Sequence, residues 1–149
     1  MSLLIIENYY GEFIIDPDDS PITTVSNGLS TIYSLIGKPF NSYTNLTELR
    51  NATVLSHRSF VLQSPLTIDD LVADIESSID SGRATIVISK SGTLTPDTHL
   101  FVVYGYTKGS TNRIHYADPW TGKLRNMTYT EFKNLVDTNS SYVDVLKLK

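Results

Sequence analysis

The pattern of apolar positions in the second half of the chain predicts a hairpin. Leu100 to Tyr106 is a nearly unbroken apolar and aromatic run, as expected of a strand that is covered on both faces. Residues 108–112 have turn chemistry, and Arg113 to Ala117 reads as the returning strand. Asp118-Pro119 ends that strand, because proline cannot donate to a ladder. Further strands are expected over 84–89, 123–127 and 142–148.

Other segments have the spacing of amphipathic helices. In the first, the apolar face is formed by Leu29, Ile32, Tyr33 and Ile36, and Gly37 with Pro39 ends it. Thr67 caps a second helix over 68–79, and Ser81-Gly82 ends that one. Shorter helices are expected after the capping boxes that begin at Asn45 and Thr128. Helices that alternate with mostly antiparallel strands indicate an α+β fold.

Length and composition indicate an ordinary globular protein. We expect residues 1–149 to form a single domain, with 1–20 as an N-terminal arm or short hairpin. The chain is 40% hydrophobic with a net charge of −4, and its Lys and Arg are scattered, so nucleic acid is not an expected partner. No segment approaches the ~18 apolar residues of a membrane span. Met1 to Ile6 is too short for the core of a signal peptide.

The content of metal-ligating residues predicts no cofactor. The chain has no cysteine, which excludes disulfides and thiolate metal sites. Its histidines and acids lack zinc-binding spacing. We interpret His57 as a surface or linker residue and His115 as a satisfied or half-exposed strand residue. We therefore expect neither a metal nor an organic cofactor.

The predicted hairpin brings His99 and Asp118 together. If it closes around residues 109–110, the residue opposite His99 is close to Asp118. Directly opposed side chains in an antiparallel pair lie about 4.5–5.5 Å apart at Cβ. An imidazole beside a carboxylate is the base-and-orienter half of a nucleophilic triad. The same geometry is equally compatible with a structural hydrogen bond.

This block resembles the C39-like peptidases of the papain-like cysteine peptidase superfamily. The resemblance rests on a His that opens an apolar strand, Gly-Tyr, a polar turn and a second strand ending in Asp-Pro, and it covers roughly residues 20–136. It implies a papain-like fold in which an N-terminal central helix packs on an antiparallel sheet. It also implies that His99 is the general base and Asp118 its orienting partner. In that family a Cys at the start of an earlier helix is the nucleophile, and an upstream Gln helps to form the oxyanion hole.

The chain departs from this pattern at the nucleophile and at the oxyanion hole. It has no thiol, and its only glutamine, Gln63, lies well past the first helix. Ser26 occupies the nucleophile position by its spacing to the small residues that follow, although it is also a good helix N-cap. Asn27 fits if Asn-Gly replaces the family's Cys-Gly, and Thr24 fits if the helix keeps its usual length. Trp120, with Asn27, is a candidate for the wall of a substrate groove, and core packing is the alternative for this tryptophan.

Three hypotheses follow from the sequence. The first is a catalytically inactive pseudo-peptidase that keeps the fold and groove and binds a peptide or protein. The second is an active peptidase whose cysteine has been replaced. The third is a structural or interaction domain in which His99 and Asp118 do not meet. The missing glutamine favours the first hypothesis, since replacing a nucleophile would not also remove an oxyanion donor.

Overall fold

The computed structural model describes residues 67–136 without a gap, the backbone of 60–63 and 145–148, and several isolated positions. The nucleophile candidates Thr24, Ser26 and Asn27 lie outside the described residues, as do the arm over 1–20 and His57. The isolated positions are Ser30, Tyr33, Ser34, Gly37, Lys38, Pro39 and Glu48.

A six-stranded antiparallel sheet forms the centre of the described structure, with the strand order β1-β6-β2-β3-β4-β5. Two helices that are described over their whole length accompany it, so the predicted α+β arrangement is confirmed. The strands are β1 (Phe60–Gln63), β2 (Thr85–Ser89), β3 (His99–Thr107), β4 (Arg113–Asp118), β5 (Lys123–Thr128) and β6 (Val145–Leu148), and the helices are α1 (Ile68–Asp80) and α2 (Tyr129–Leu135).

Helix ends lie where the sequence predicts them. The Thr67 side chain accepts a hydrogen bond from the Asp70 amide at the start of α1. The helix predicted around Leu29 to Ile36, which precedes α1, is described only in part: Ser30, Tyr33 and Ser34 are helical. It ends at Gly37 (φ +68°), where the Lys38 amide bonds the Tyr33 carbonyl at 3.0 Å. This positive-φ ending satisfies carbonyls that would otherwise lack a partner, and glycine adopts it without a steric penalty.

The core lies between one face of the sheet and the two helices. Leu71 and Ile75 of α1 and Phe132 of α2 are fully buried against Phe101 and Val103 of β3. Burying a side chain of this size contributes about 1.5–3 kcal/mol. Because side chains alternate between faces along a strand, His99 shares the face of Phe101 and Val103. This residue therefore extends the core face toward the start of β3.

Polar contacts fasten α1 to its neighbours. Glu76 accepts hydrogen bonds from Lys108, in the β3–β4 loop, at 2.6 Å and from the Tyr129 hydroxyl at 2.7 Å. Burial alone would raise the pKa of Glu76, but these bonds outweigh it and hold the pKa below its usual value. Burial and the bond to Glu76 both raise the pKa of Tyr129. This cluster ties α1 to the hairpin loop and to α2, which is a structural role.

The β3–β4 hairpin contains a bulge that the sequence did not predict. Thr107 pairs with Arg113, and a shift between Val103 and Gly105 adds an extra residue to β3. Beyond this bulge Val102 pairs with Ala117, so continuing the ladder places Asp118 opposite Phe101. The same continuation places Trp120 opposite His99, which is what closure around residues 109–110 requires, because the later turn and the bulge offset each other. His99 and Asp118 are therefore close, as predicted, but not directly opposed. The two residues still share one face and lie diagonally across it.

None of the helices in the described part of the chain is long and apolar enough to cross a membrane.

Candidate functional site

Asp118 is held by the turn that follows β4. Its Oδ1 accepts a hydrogen bond from the Trp120 amide at 2.9 Å, and its Oδ2 accepts one from the Thr121 hydroxyl at 2.8 Å. The Gly122 amide bonds the Asp118 carbonyl at 2.8 Å, with Gly122 at φ +65°. An aspartate that bonds the amide two residues ahead stabilises this kind of turn. The turn therefore fixes the direction of the carboxylate before any ligand is present.

His99 bonds this carboxylate. Its Nε2 lies 3.0 Å from Asp118 Oδ1, and the two side chains are only 13% and 7% exposed. Since an ionised carboxylate only accepts hydrogen bonds, Nε2 is the nitrogen that donates. In the neutral ring the lone pair then belongs to Nδ1. Asp118 thus selects the tautomer in which Nδ1 is available as a base.

Hydrogen bonds keep Asp118 ionised despite its burial. Burial raises the pKa of this carboxyl, but the bonds from Thr121, His99 and the Trp120 amide outweigh burial and leave the pKa below its usual value. Arg125 lies farther away, with its Nε 4.0 Å from Asp118 Oδ2. The carboxylate therefore carries its negative charge at neutral pH, next to the imidazole.

Ser89 stands beside this pair and was missed by the sequence reasoning. It pairs directly with His99 across β2 and β3, and it is fully buried. Its Oγ has no hydrogen-bond partner among the described residues. Ser89, His99 and Asp118 thus lie on one face of three adjacent strands. Only the β2–β3 register reveals this neighbour, and the local pattern of the sequence does not encode that register.

Thr121 was also missed, although a local signal exists for it. An aspartate followed three residues later by threonine, across a proline, is typical of a side-chain-stabilised turn. Of the other histidines, His115 bonds the Thr107 hydroxyl at 2.6 Å and is half-buried, as predicted for a satisfied strand residue.

Trp120 lies on the surface next to the pair. Its side chain is 72% exposed, so the alternative that it packs in the core is wrong. Its backbone amide bonds Asp118, which fixes its position relative to the carboxylate. Whether it walls a groove together with Asn27 stays a prediction, because Asn27 lies outside the described residues.

The pair is not part of a metal-binding group. Within the described ranges, no three His, Cys, Asp or Glu side chains come close enough together to hold an ion. What the arrangement offers chemically is a positioned base beside a negative charge. This chemistry needs a nucleophile or a ligand from elsewhere.

Comparison with known proteins agrees with the resemblance seen in the sequence. Residues 2–143 match the Peptidase_C39 like family. The chain belongs to this family. The α+β arrangement of the described residues is consistent with a C39-like fold. No curated protein matches the chain.

Because the chain belongs to the Peptidase_C39 like family, its lack of a cysteine nucleophile is a departure from the pattern of its own family. The family match spans nearly the whole chain, and the chain contains no cysteine. The third hypothesis required His99 and Asp118 to stay apart, and their hydrogen bond contradicts that requirement. The roles of Ser26, His99 and Asp118 as triad positions stay a prediction.

Proposed function

We propose that this C39-like domain is a catalytically inactive pseudo-peptidase that binds a peptide or protein beside the His99–Asp118 pair. The observation that carries the proposal is the buried hydrogen bond between these residues in a chain without a thiol. Three groups donate hydrogen bonds to the carboxylate: His99, the Trp120 amide and the Thr121 hydroxyl. An arrangement this complete supports retention of a binding site after loss of the nucleophile.

The lack of a thiol explains the proposed inactivity. The thiolate is the reactive species in cysteine catalysis, and a free cysteine has a pKa of about 8.5. A serine hydroxyl ionises far less readily, so Ser26 or Thr24 in the same place is expected to be a poor nucleophile. Without an upstream glutamine the oxyanion also lacks a donor, and loss of one such donor typically lowers the rate ~10²–10³-fold.

Trp120 supports the binding part of the proposal. An aromatic side chain of this size offers a contact area of about 150–250 Å². It is exposed, and its backbone is fixed to the carboxylate of the pair. A bound peptide would cover this ring and gain the free energy of burying it.

The first test measures activity and binding on the unmodified chain. We expect no hydrolysis of a fluorogenic peptide library and no labelling by thiol-directed inhibitors. We expect a fluorescein-labelled peptide library to bind, and Trp120→Ala to weaken binding more than Trp120→Phe. Hydrolysis that His99→Ala abolishes would contradict inactivity and assign the reaction to Ser26 or Thr24. No binding at any peptide concentration would refute the binding part.

A cysteine placed at position 26 tests the relic site directly. If His99 and the helix N-terminus surround this position, Ser26→Cys should react with iodoacetamide faster than Ser30→Cys, a cysteine at an exposed helical position. Peptide cleavage should stay low, because the oxyanion donor is still missing. Equal reaction rates for the two cysteines would show that position 26 is not the nucleophile position.

The second candidate function is an active peptidase in which the cysteine has been replaced. The intact His99–Asp118 pair supports an active peptidase as much as it supports an inactive domain, because an active enzyme also needs this pair. The natural coding sequence at residues 24–27 distinguishes the two, since a cysteine codon there would establish the replacement. The absence of any glutamine upstream of the first helix favours the inactive domain.

A further inference from the structure

β5 is the last strand of the sheet in the described part of the chain, and its first four residues are exposed to solvent. It pairs with β4 along its whole length and is the final member of the strand order. Its residues 123–126 are all exposed, although they alternate between the two faces of the sheet. Neither face is therefore covered at this point. The outer edge of such a strand presents unpaired backbone N–H and C=O groups, which can pair with another extended chain.

Exposed apolar side chains are concentrated at this edge. Among the large hydrophobic residues that the structure describes, only Trp120 and Leu124 are exposed, each at 72%. They lie four residues apart, one in the turn before β5 and one on the strand. Single exposed hydrophobic residues are ordinary on protein surfaces. Leu124 on the edge strand, with Trp120 in the turn before it, provides the apolar contacts that a docked strand needs.

The other face of the same edge is basic. Lys123 and Arg125 alternate with Leu124, and they share the face of Asp118 and Tyr116, their register partners in β4. Lys123 forms no ion pair with a described residue, and Arg125 only approaches Asp118 at 4.0 Å. The chain as a whole has a net charge of −4, so this basic edge is a local departure. It attracts acidic side chains.

The same charges disfavour a second copy of the chain at this edge. If two β5 strands paired with each other in antiparallel fashion, lysines and arginines of both copies would gather on one face. Like charges that oppose each other across strands are destabilising. An acidic strand has the opposite effect and neutralises Lys123 and Arg125.

The geometry points to β5 as a docking edge for an extended peptide in which acidic and apolar residues alternate. The peptide adds a strand beside 123–126, its backbone pairs with the free edge, its acidic side chains face Lys123 and Arg125, and its apolar side chains cover Leu124. This inference rests on the proposed function in that the ligand is a peptide. It goes further in placing the contact on the sheet edge and in giving the ligand's side-chain pattern.

The test uses the full chain and a short fluorescein-labelled peptide in which valine and glutamate alternate. Fluorescence anisotropy should show binding that weakens as salt is raised, because exposed charges are screened within about 10 Å at 0.1 M ionic strength. Lys123→Glu should weaken binding about fivefold, since an exposed ion pair becomes a repulsion. Arg83→Glu is the matched control: it changes the net charge equally at an exposed position outside β5 and should leave binding unchanged.

A second arm tests the backbone pairing without altering the protein. The same peptide with N-methyl groups on alternate residues keeps its charges but loses the donors for one edge. Two such peptides are compared, one methylated at its valines and the other at its glutamates. We expect one of them to lose binding, because its N–H groups toward β5 are blocked, and the other to bind as the unmodified peptide does. Equal binding of both methylated peptides would overturn strand addition.

The remaining outcomes separate this inference from the proposed function. Binding that is lost in Trp120→Ala but unaffected by Lys123→Glu, Leu124→Ser and N-methylation would overturn the edge and leave the proposed groove intact. Binding that survives His99→Ala but is lost in Leu124→Ser supports the edge. A dimer in sedimentation that Leu124→Ser converts to a monomer would overturn the peptide as occupant and assign the edge to a second copy.

Discussion

Replacing the carboxylate of Asp118 with an amide should lower the free energy of unfolding at neutral pH. Asp118→Asn keeps the size of the side chain but removes the charge and puts a donor in place of one acceptor oxygen. The carboxylate accepts bonds from Thr121, His99 and the Trp120 amide. The amide can keep at most the bonds to one oxygen, and the Thr121 hydroxyl must turn to accept instead.

The size of the effect follows from those three bonds. A hydrogen bond to a charged group contributes about 1.5–3 kcal/mol, and a neutral one contributes about 0.5–1.5 kcal/mol. Relief of the burial of the charge offsets part of the loss. We therefore expect Asp118→Asn to destabilise the protein by about 2 kcal/mol at pH 7.

The pH dependence gives this prediction its sign. The pKa of Asp118 is lower in the folded protein than its usual value. Its contribution to stability is therefore fully present above the unfolded-state pKa, about 3.9, and is lost as the pH falls through the lower folded-state pKa. The difference in stability between the protein and Asp118→Asn should accordingly shrink as the pH falls below about 4.

Urea unfolding followed by circular dichroism measures both quantities. Asp97→Asn is the matched control, since Asp97 is exposed in the loop before β3 and its carboxylate has no hydrogen bond among the described contacts. This control should change stability by less than about 0.5 kcal/mol. If Asp118→Asn costs no more than Asp97→Asn, or if its cost stays constant down to low pH, the inferred role of the carboxylate is refuted.

Two further predictions concern stability away from the pair. Thr85 is fully buried, and its Oγ1 has no partner among the described residues, so Thr85→Val should stabilise the protein by about 1 kcal/mol in urea unfolding; a comparable destabilisation would show that the hydroxyl is bonded. Thr128 forms a capping box with Glu131 at the start of α2, so Thr128→Ala should cost about 1 kcal/mol. Thr130→Ala, at an exposed position in the same helix, is its control, and equal losses in thermal unfolding would argue against the cap.

Local patterns in the sequence predicted most of the described elements. The run from Leu100 to Tyr106 lies within β3, the turn over 108–112 is present, and Thr67 and Thr128 cap the helices that follow them. These features depend on residues that are close in the chain, where turn chemistry and alternation act directly. For the same reason the contact between His99 and Asp118 could be foreseen from a single hairpin.

Features that depend on distant pairings could not be foreseen. The place of Ser89 beside His99 needs the register of β2 against β3. The bulge between Val103 and Gly105 has only a weak local signal, which is the glycine inside the strand. The exposure of Trp120 depends on what the rest of the chain leaves uncovered, which the local pattern does not determine. A shift of one residue in register exchanges the two faces of a strand, so such details decide which side chains meet.

The strand order also has a consequence for how the chain folds. β2 to β5 form a continuous meander of neighbours in sequence, whereas β6 inserts between β2 and β1. The ribosome therefore delivers the meander well before the strand that joins β1 to it. During synthesis β2 to β5 can pair through short loops. β1 can pair only after β6 has been synthesised, because β6 is its neighbour in the sheet and lies far along the chain. Because long-range pairings form slowly, we expect the insertion of β6 to be a late step in folding.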